Sequence, residues 1–245
     1  MRHTFSTCLI AAACTLALAS PASAQTSSSL QDKTTVTQQH PLPASRQAIV
    51  PIAAFVAIGD LGKLNAALEQ GLDAGLTVND CKEVLIQLYA YAGFPRSLNA
   101  LSELMKVVKD REQRGIKDPV GSTPTALQAG SNILEVGTAN QTQLSGAPVR
   151  GPLFEFAPAI DEYLKTHLFG DIFARDNLDW QSRELATVGA LAAMTGVEPQ
   201  LLAHIRISRN VGLTQAQLLQ VADILAEKVG HDAGTRAQEA LRKNA

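Results

Sequence analysis

The chain has 245 residues, of which 46% are hydrophobic and 18% are charged, and its formal net charge is −2. This size and composition are typical of a globular protein of one or two domains with a sizeable core. The near-neutral charge and the lack of a basic block argue against nucleic acid as a partner. Beyond the N-terminal region, no run approaches the roughly 20 apolar residues of a membrane span, so none is predicted.

Residues 1–24 have the pattern of a secretory signal peptide. Arg2 precedes an apolar run, and the small residues up to Ala24 form an A-x-A cleavage site. We therefore expect cleavage after Ala24 and a periplasmic or secreted protein. One cysteine then remains, Cys81, so no internal disulfide is predicted although such a compartment is oxidising.

Residues 25–44 are rich in Ser, Thr and Gln and are predicted to form a flexible arm. Apolar residues then recur at helical spacing over residues 45–115, which we interpret as a first helical repeat. Capping and breaking residues mark its helix ends: Asp60, Thr77 with Asp80, Gly75, Gly93 and Pro95. In the last of these helices five residues are expected to face inward: Leu98, Leu101, Leu104, Met105 and Val108.

Residues 116–152 contain Pro, Gly, Ser and Thr without a sustained period, and we interpret them as a long linker. Their less polar middle, residues 132–144, is expected to lie across a partner or across the other half of the chain. A second helical repeat is predicted over residues 153–230, with a first helix from about Phe156 to Leu168.

The centre of the second repeat, residues 182–214, is predicted to form two helices separated by a break at residues 196–199. Thr214 with Gln217 opens a further helix. The tail, residues 231–245, is predicted to be a short, charged and exposed helix. No alternating pattern of convincing length occurs anywhere, so the predicted fold class is all-α.

The two repeats correspond without gaps at an offset of 137 positions. The shared positions are structural: Ser45-Arg46 with Ser182-Arg183, Gly59 with Gly196, and Gly75-Leu76-Thr77 with Gly212-Leu213-Thr214. The polar positions differ, because Glu184 corresponds to Gln47 and His204 corresponds to Ala67. We infer that the scaffold is duplicated, whereas the chemistry is not.

Several motifs in both halves resemble the carboxymuconolactone decarboxylase family, which also contains alkyl hydroperoxidase D. They are Gly170-Asp171-Ile172-Phe173, Ser182-Arg183-Glu184, His204, Gly212-Leu213-Thr214, Gly75-Leu76-Thr77, Glu83-Val84-Leu85 and Tyr91-Ala92-Gly93-Phe94-Pro95. The resemblance implies an all-α domain of paired helices that assembles into homotrimers or hexamers. It also implies a site for a small-molecule substrate that uses neither cofactor nor metal and has glutamate and histidine among its polar residues.

Decarboxylation of a carboxylated unsaturated lactone requires three things of a protein: a group that binds the carboxylate, a group that stabilises the developing oxyanion, and a proton donor to carbon. On the resemblance, His204 is the candidate proton donor and Glu184 the residue that orients it, with Glu83 as a third candidate catalytic residue. The candidate substrate-binding residues are Arg183 and Arg96, as anion clamps, and Tyr91.

Each candidate also has a structural interpretation. Glu184 complements the positive N-terminal end of its own helix, and His204 suits a histidine satisfied inside a core. Arg183 recurs as Arg46, which favours a structural ion pair, and Arg96 directly follows a helix-starting proline at the surface.

Two other functions stay open. In the hydroperoxidase branch a C-x-x-C pair lies between the glutamate and the histidine, but the matching positions here hold Val197 and Gln200. A dithiol peroxidase needs both an attacking and a resolving thiol, and Cys81 lies outside the family's redox position. The third possibility is a non-catalytic binding or assembly module that keeps the helices.

Simple helix geometry separates the two principal candidates. With the turn placed at Val197, Glu184 lies 13 residues before it and His204 seven after it, an axial mismatch of roughly 9 Å in an ideal hairpin. Contact is then expected only through a water molecule, a strong crossing angle or a neighbouring subunit. Apolar faces over residues 98–105 and 185–193 are expected to be buried between subunits.

Overall fold

A computed structural model of the chain describes residues 40–244. Within that range the helices are α1 (Ala44–Ile58), α2 (Leu61–Asp73), α3 (Val78–Gln87), α4 (Tyr89–Ala92), α5 (Phe94–Gln113), α6 (Ile133–Ser145), α7 (Pro152–Phe156), α8 (Pro158–Tyr163), α9 (Trp180–Ala193), α10 (Glu198–Asn210), α11 (Gln215–Ile224) and α12 (His231–Lys243). π-helical turns continue α8 over Leu164–Ile172 and α11 over Leu225–Val229. No strand occurs among residues 40–244, which confirms the predicted all-α class.

The predicted signal peptide and residues 25–39 of the predicted arm lie outside the described residues. The end of the arm packs against α11: Leu42 is 2% exposed, and its backbone N–H donates to Gln220 Oε1 at 2.9 Å. None of the helices in the described part of the chain has the length and apolar character needed to cross a membrane.

Helices α1 and α9 form the centre of the core and pack closely on each other. The second half of α1, Ile49 to Ala57, is buried almost throughout, and so is α9 from Ser182 to Ala192. Gly189 makes the approach possible, because a Cβ atom at this position would lie 2.7 Å from the backbone oxygen of Val50. The face formed by residues 185–193 is therefore covered within the chain, and the expectation that it is buried between subunits is wrong.

The helices on either side of this pair follow the same plan in both halves. Helices α2, α3 and α5 begin at Leu61, Val78 and Phe94, and α10, α11 and α12 begin 137 positions later in each case, at Glu198, Gln215 and His231. Thr77 and Thr214 both form the predicted capping boxes. This correspondence favours the interpretation of a duplicated unit, and the domain bounds themselves stay a prediction.

The segment interpreted as a linker contains a helix that the sequence pattern did not predict. Helix α6 occupies its middle and packs against the π-helical turns after α8. The two approach so closely that a Cβ atom at Gly137 would meet the backbone oxygen of Lys165. Asn140 Nδ2 also donates to the Phe169 carbonyl at 2.8 Å. The small and polar residues that permit this contact are the ones that hide the helical period.

The helix predicted from about Phe156 to Leu168 is present, but it begins at Pro158 and continues through the π-helical turns to Ile172. Helix α7 ends at Phe156 and α8 starts at Pro158, because proline has no N–H to donate and disfavours a helical conformation at the residue before it. Ala157, between them, has φ −130° and ψ 73°.

Two predictions of side-chain exposure are also corrected. In α5, Leu98 and Met105 are 59% and 69% exposed, because the buried stripe consists of Ser97, Ala100, Leu104, Val107 and Arg111. In α12, which was predicted to be exposed, Ala233, Ala237 and Leu241 are buried. The buried positions recur at helical spacing but are mostly small alanine residues, which let the charged tail pack closely against its neighbours.

Candidate functional site

Glu184 and His204 form a buried hydrogen-bonded pair. Asp179 starts α9 by accepting the Ser182 N–H at 2.8 Å, which places Glu184 in the first turns of the central helix. His204 lies in the second turn of α10, and its Nδ1 is 2.8 Å from Glu184 Oε2. Glu184 is 0% exposed and His204 is 8% exposed. A carboxylate at Nδ1 fixes the ring and leaves Nε2 as the nitrogen that is able to exchange a proton with a ligand.

The direct contact overturns the expected axial mismatch. Helix α9 ends at Ala193 and α10 starts at Glu198, so the two residues lie nine and six positions from the facing helix ends. The offset is then three residues, or about 4.5 Å, which a glutamate side chain spans. The expected mismatch was too large because it treated the connecting residues 194–197 as part of a helix.

Tyr91 lies beside this pair. Its ring meets the His204 imidazole edge-on, with ring centroids 5.6 Å apart. The side chain comes from α4, which Gly93 ends with a φ of 87°. Burial raises the pKa of Tyr91 above its ordinary value, and the Glu184 carboxylate raises it further.

Glu83 and Arg183 lie together in an adjoining network of charged groups. Glu83, on α3, accepts from Arg175 at 2.9 and 2.6 Å and from Arg183 Nη2 at 3.1 Å. Burial raises the pKa of Glu83, but the hydrogen bonds from Arg175, Asn177 and Arg183 outweigh it and hold the pKa below its ordinary value. Glu83 is thus a buried carboxylate held in its ionised form between two guanidinium groups.

The Arg183 side chain is fully buried and fastens α9 to α3. Its guanidinium also donates to Gln87 Oε1 at 3.2 Å and to the Arg175 carbonyl at 2.9 Å. Gln87 in turn donates to the Arg183 carbonyl and to Thr187 Oγ1, at 2.9 and 2.8 Å. Burial lowers the pKa of Arg183, against the opposing effect of Glu83. Sequence reasoning missed Gln87 and Arg175, since neither belongs to a motif.

The comparison with protein families matches residues 158–243 to the model of the carboxymuconolactone decarboxylase family. Residues 158–243 belong to the carboxymuconolactone decarboxylase family. The matched range runs from α8 to α12 and includes both Glu184 and His204. No curated protein matches the chain.

Of the remaining predicted residues, Arg96 lies outside the groups formed by Glu184, His204 and Tyr91 and by Glu83 and Arg183. It follows Pro95 in the first turn of α5, and its guanidinium donates to the carbonyl of Ala57. That carbonyl belongs to the last turn of α1, where a cation offsets the negative end of the helix. The structure therefore brings Glu184, His204 and Tyr91 together, joins Glu83 to Arg183, and leaves Arg96 at a helix end.

Cys81 is fully buried in α3. Burial raises the pKa of its thiol to about 12, and the charges of Asp80 and Asp118 act in the same direction. A thiol of this kind carries little thiolate at neutral pH and is a poor nucleophile. Within residues 40–244, no group of three or more His, Cys, Asp and Glu side chains is placed to hold a metal ion.

Five cavities with volumes from about 200 to 690 Å³ lie on the described part of the molecule. One of about 250 Å³ lies between α10 and α12, with Leu201 and Ala240 in its apolar lining and Glu198 and Lys243 among its charged residues. Neither Glu184 nor His204 lines any of these five.

Proposed function

We propose that the chain is a cofactor-free acid–base enzyme that decarboxylates a small carboxylated lactone or a related substrate. The observation that carries this proposal is the 2.8 Å contact between His204 Nδ1 and Glu184 Oε2, inside the core and within the matched range. A buried imidazole with an orienting carboxylate is the arrangement that general acid–base catalysis uses.

In the proposed reaction the bond between the substrate carbon and its carboxylate breaks and CO2 leaves. The electron pair passes through the conjugated double bond to the lactone carbonyl oxygen and forms an enolate. His204 then transfers the Nε2 proton to carbon, a C–H bond forms, and the enolate collapses to the lactone. Glu184 stabilises the positively charged imidazolium of His204 before the transfer. A proton from solvent then converts the neutral imidazole back to the imidazolium.

The buried cysteine argues against the hydroperoxidase alternative. Cys81 has a raised pKa, and the two positions that carry the dithiol in that branch hold Val197 and Gln200. A non-catalytic binding or assembly module is the second candidate, and one observation favours it: none of the five cavities described above has Glu184 or His204 in its lining.

The test is mass-spectrometric detection of CO2 released from a panel of carboxylated unsaturated lactones. The wild-type chain is expected to turn over at least one of them, and His204→Ala and Glu184→Gln to lower kcat by roughly 100- to 10,000-fold, the usual contribution of acid–base catalysis. His231→Ala, which removes an exposed histidine of α12, is the matched control and should leave kcat unchanged.

Full activity in both site variants would show that the pair is not the catalytic centre. If no lactone is decarboxylated and both variants alter only the stability of the fold, the binding or assembly module becomes the better account.

A further inference from the structure

Three buried polar atoms around the Glu184–His204 pair have no hydrogen-bond partner in the described protein. They are Glu184 Oε1, the Tyr91 hydroxyl and Ser208 Oγ, one turn beyond His204 on α10. Buried polar side chains nearly always have a partner, because each unsatisfied one costs free energy. The cluster therefore combines a free acceptor, on Glu184, with a donor, on Tyr91, beside one imidazole.

Tyr91 has the strongest case of the three for a role towards a ligand. Thr187 lies near enough to oppose the rise in the pKa of Tyr91. Thr187 Oγ1 donates its one proton to the Arg183 carbonyl at 3.0 Å and accepts from Gln87 at 2.8 Å, so it has no proton left to donate to Tyr91. The Tyr91 hydroxyl is buried and has no hydrogen-bond partner among the described residues. With its pKa raised, the phenol remains protonated at neutral pH and is available as a donor.

The origin of Tyr91 supports the same conclusion. Glu184 and His204 come from the second predicted repeat, whereas Tyr91 comes from the first. The position of the second repeat that corresponds to Tyr91 holds Lys228, so the tyrosine is not a feature that both repeats share. The ring of Tyr91 packs on His204 and holds the phenol in the immediate surroundings of the imidazole. Both halves of the chain thus contribute to one site.

We propose that the Tyr91 hydroxyl is a further catalytic residue, which donates a hydrogen bond to the enolate oxygen formed when CO2 leaves. This inference rests on the proposed function and defines its ligand: a small planar molecule with a negatively charged enolate-type oxygen. No proton leaves Tyr91 in the reaction. The hydrogen bond stabilises the charge, and the proton that reaches carbon comes from His204. Preorganised donors of this kind contribute substantially to catalysis, because they are in place before the charge develops.

The chain offers a matched control for this proposal. Tyr89 lies two residues earlier in the same short helix, and its hydroxyl is also buried without a partner. It stacks on Phe94 with ring centroids 4.3 Å apart and lies against His167, so it does not share the contact with His204. Tyr91→Phe and Tyr89→Phe each remove one buried, unpartnered hydroxyl, and only the first removes it from beside the Glu184–His204 pair.

The experiment measures three quantities for each variant: kcat on a carboxylated lactone that the wild-type chain decarboxylates, the binding of tetronic acid by calorimetry, and the melting temperature. Tetronic acid is a five-membered lactone that is an enolate at neutral pH. Tyr91→Phe is expected to lower kcat on the order of 100-fold, to weaken tetronate binding at least 10-fold, and to leave the melting temperature unchanged or higher. Tyr89→Phe should leave kcat and tetronate binding as in the wild type.

Wild-type kcat and tetronate affinity in Tyr91→Phe would overturn the proposal, and so would a loss of affinity accompanied by a lower melting temperature, which indicates a structural role. A wild-type chain that does not bind tetronate also overturns it. If no lactone is decarboxylated but tetronate binds and the binding depends on Tyr91, the proposed reaction fails and the enolate-binding role of Tyr91 stands.

Discussion

The two predicted repeats each contain an arginine at the corresponding position, and the structure gives these two arginines very different surroundings. Arg46, at the start of α1, bonds to Gln181 and Asp179, and its side chain is 28% exposed. Arg183, in α9, is 0% exposed and bonds to Glu83, Gln87 and a backbone carbonyl. The residue that follows each arginine also makes a different contact in the two halves of the chain. Gln47 donates to the Leu42 carbonyl, whereas Glu184 holds His204. The comparison teaches that one scaffold supports a surface contact in one half and a buried polar site in the other.

The largest expected effect separates the two arginines. Arg183→Met leaves the buried Glu83 carboxylate with one cationic partner fewer, and breaking a buried ion pair costs about 3–5 kcal/mol of unfolding free energy. Arg46→Met removes a partly exposed pair with Asp179 and should cost at most about 1 kcal/mol. Urea unfolding of both variants measures the difference, and equal losses would show that the two environments are energetically alike.

The smallest expected effect concerns what the repeats share. Thr77 and Thr214 form capping boxes with Asp80 and Gln217 at equivalent positions. Thr77→Ala and Thr214→Ala should each destabilise the fold by about 1 kcal/mol, because each removes the acceptor for one N-terminal N–H. The same urea titration measures both. A loss confined to one variant would contradict a common scaffold.

The sequence predicted most helix ends in the repeats, because these ends depend on local chemistry. Asp60, Thr77, Gly93 and Thr214 act within one turn of the chain, and the structure places each at a helix boundary. Helix α6 was missed because it depends on close approach to a neighbouring element, which small residues permit without an apolar period. The burial of α12 was missed because its inward positions, although they recur at helical spacing, are mostly alanine.

The candidate site was predictable in part for the same reason. Glu184 and His204 were identified from motifs, and their direct contact required the real positions of the helix ends. Arg175 and Gln87 lie just outside the motifs, but each is more than 90 positions from its partner, and only the folded chain brings Arg175 to Glu83 and Gln87 to Arg183. No pattern of spacing marks such partners in a single sequence.

The most direct test of the central claim is a double-mutant cycle on CO2 release, with Glu184→Gln, His204→Gln and the double variant measured against the wild type. Residues that act as one unit give strongly non-additive losses. We expect the double variant to lose no more activity than His204→Gln alone, because Glu184 acts only through the imidazole. Losses that multiply in the double variant would mean that the two side chains act independently and would contradict the account.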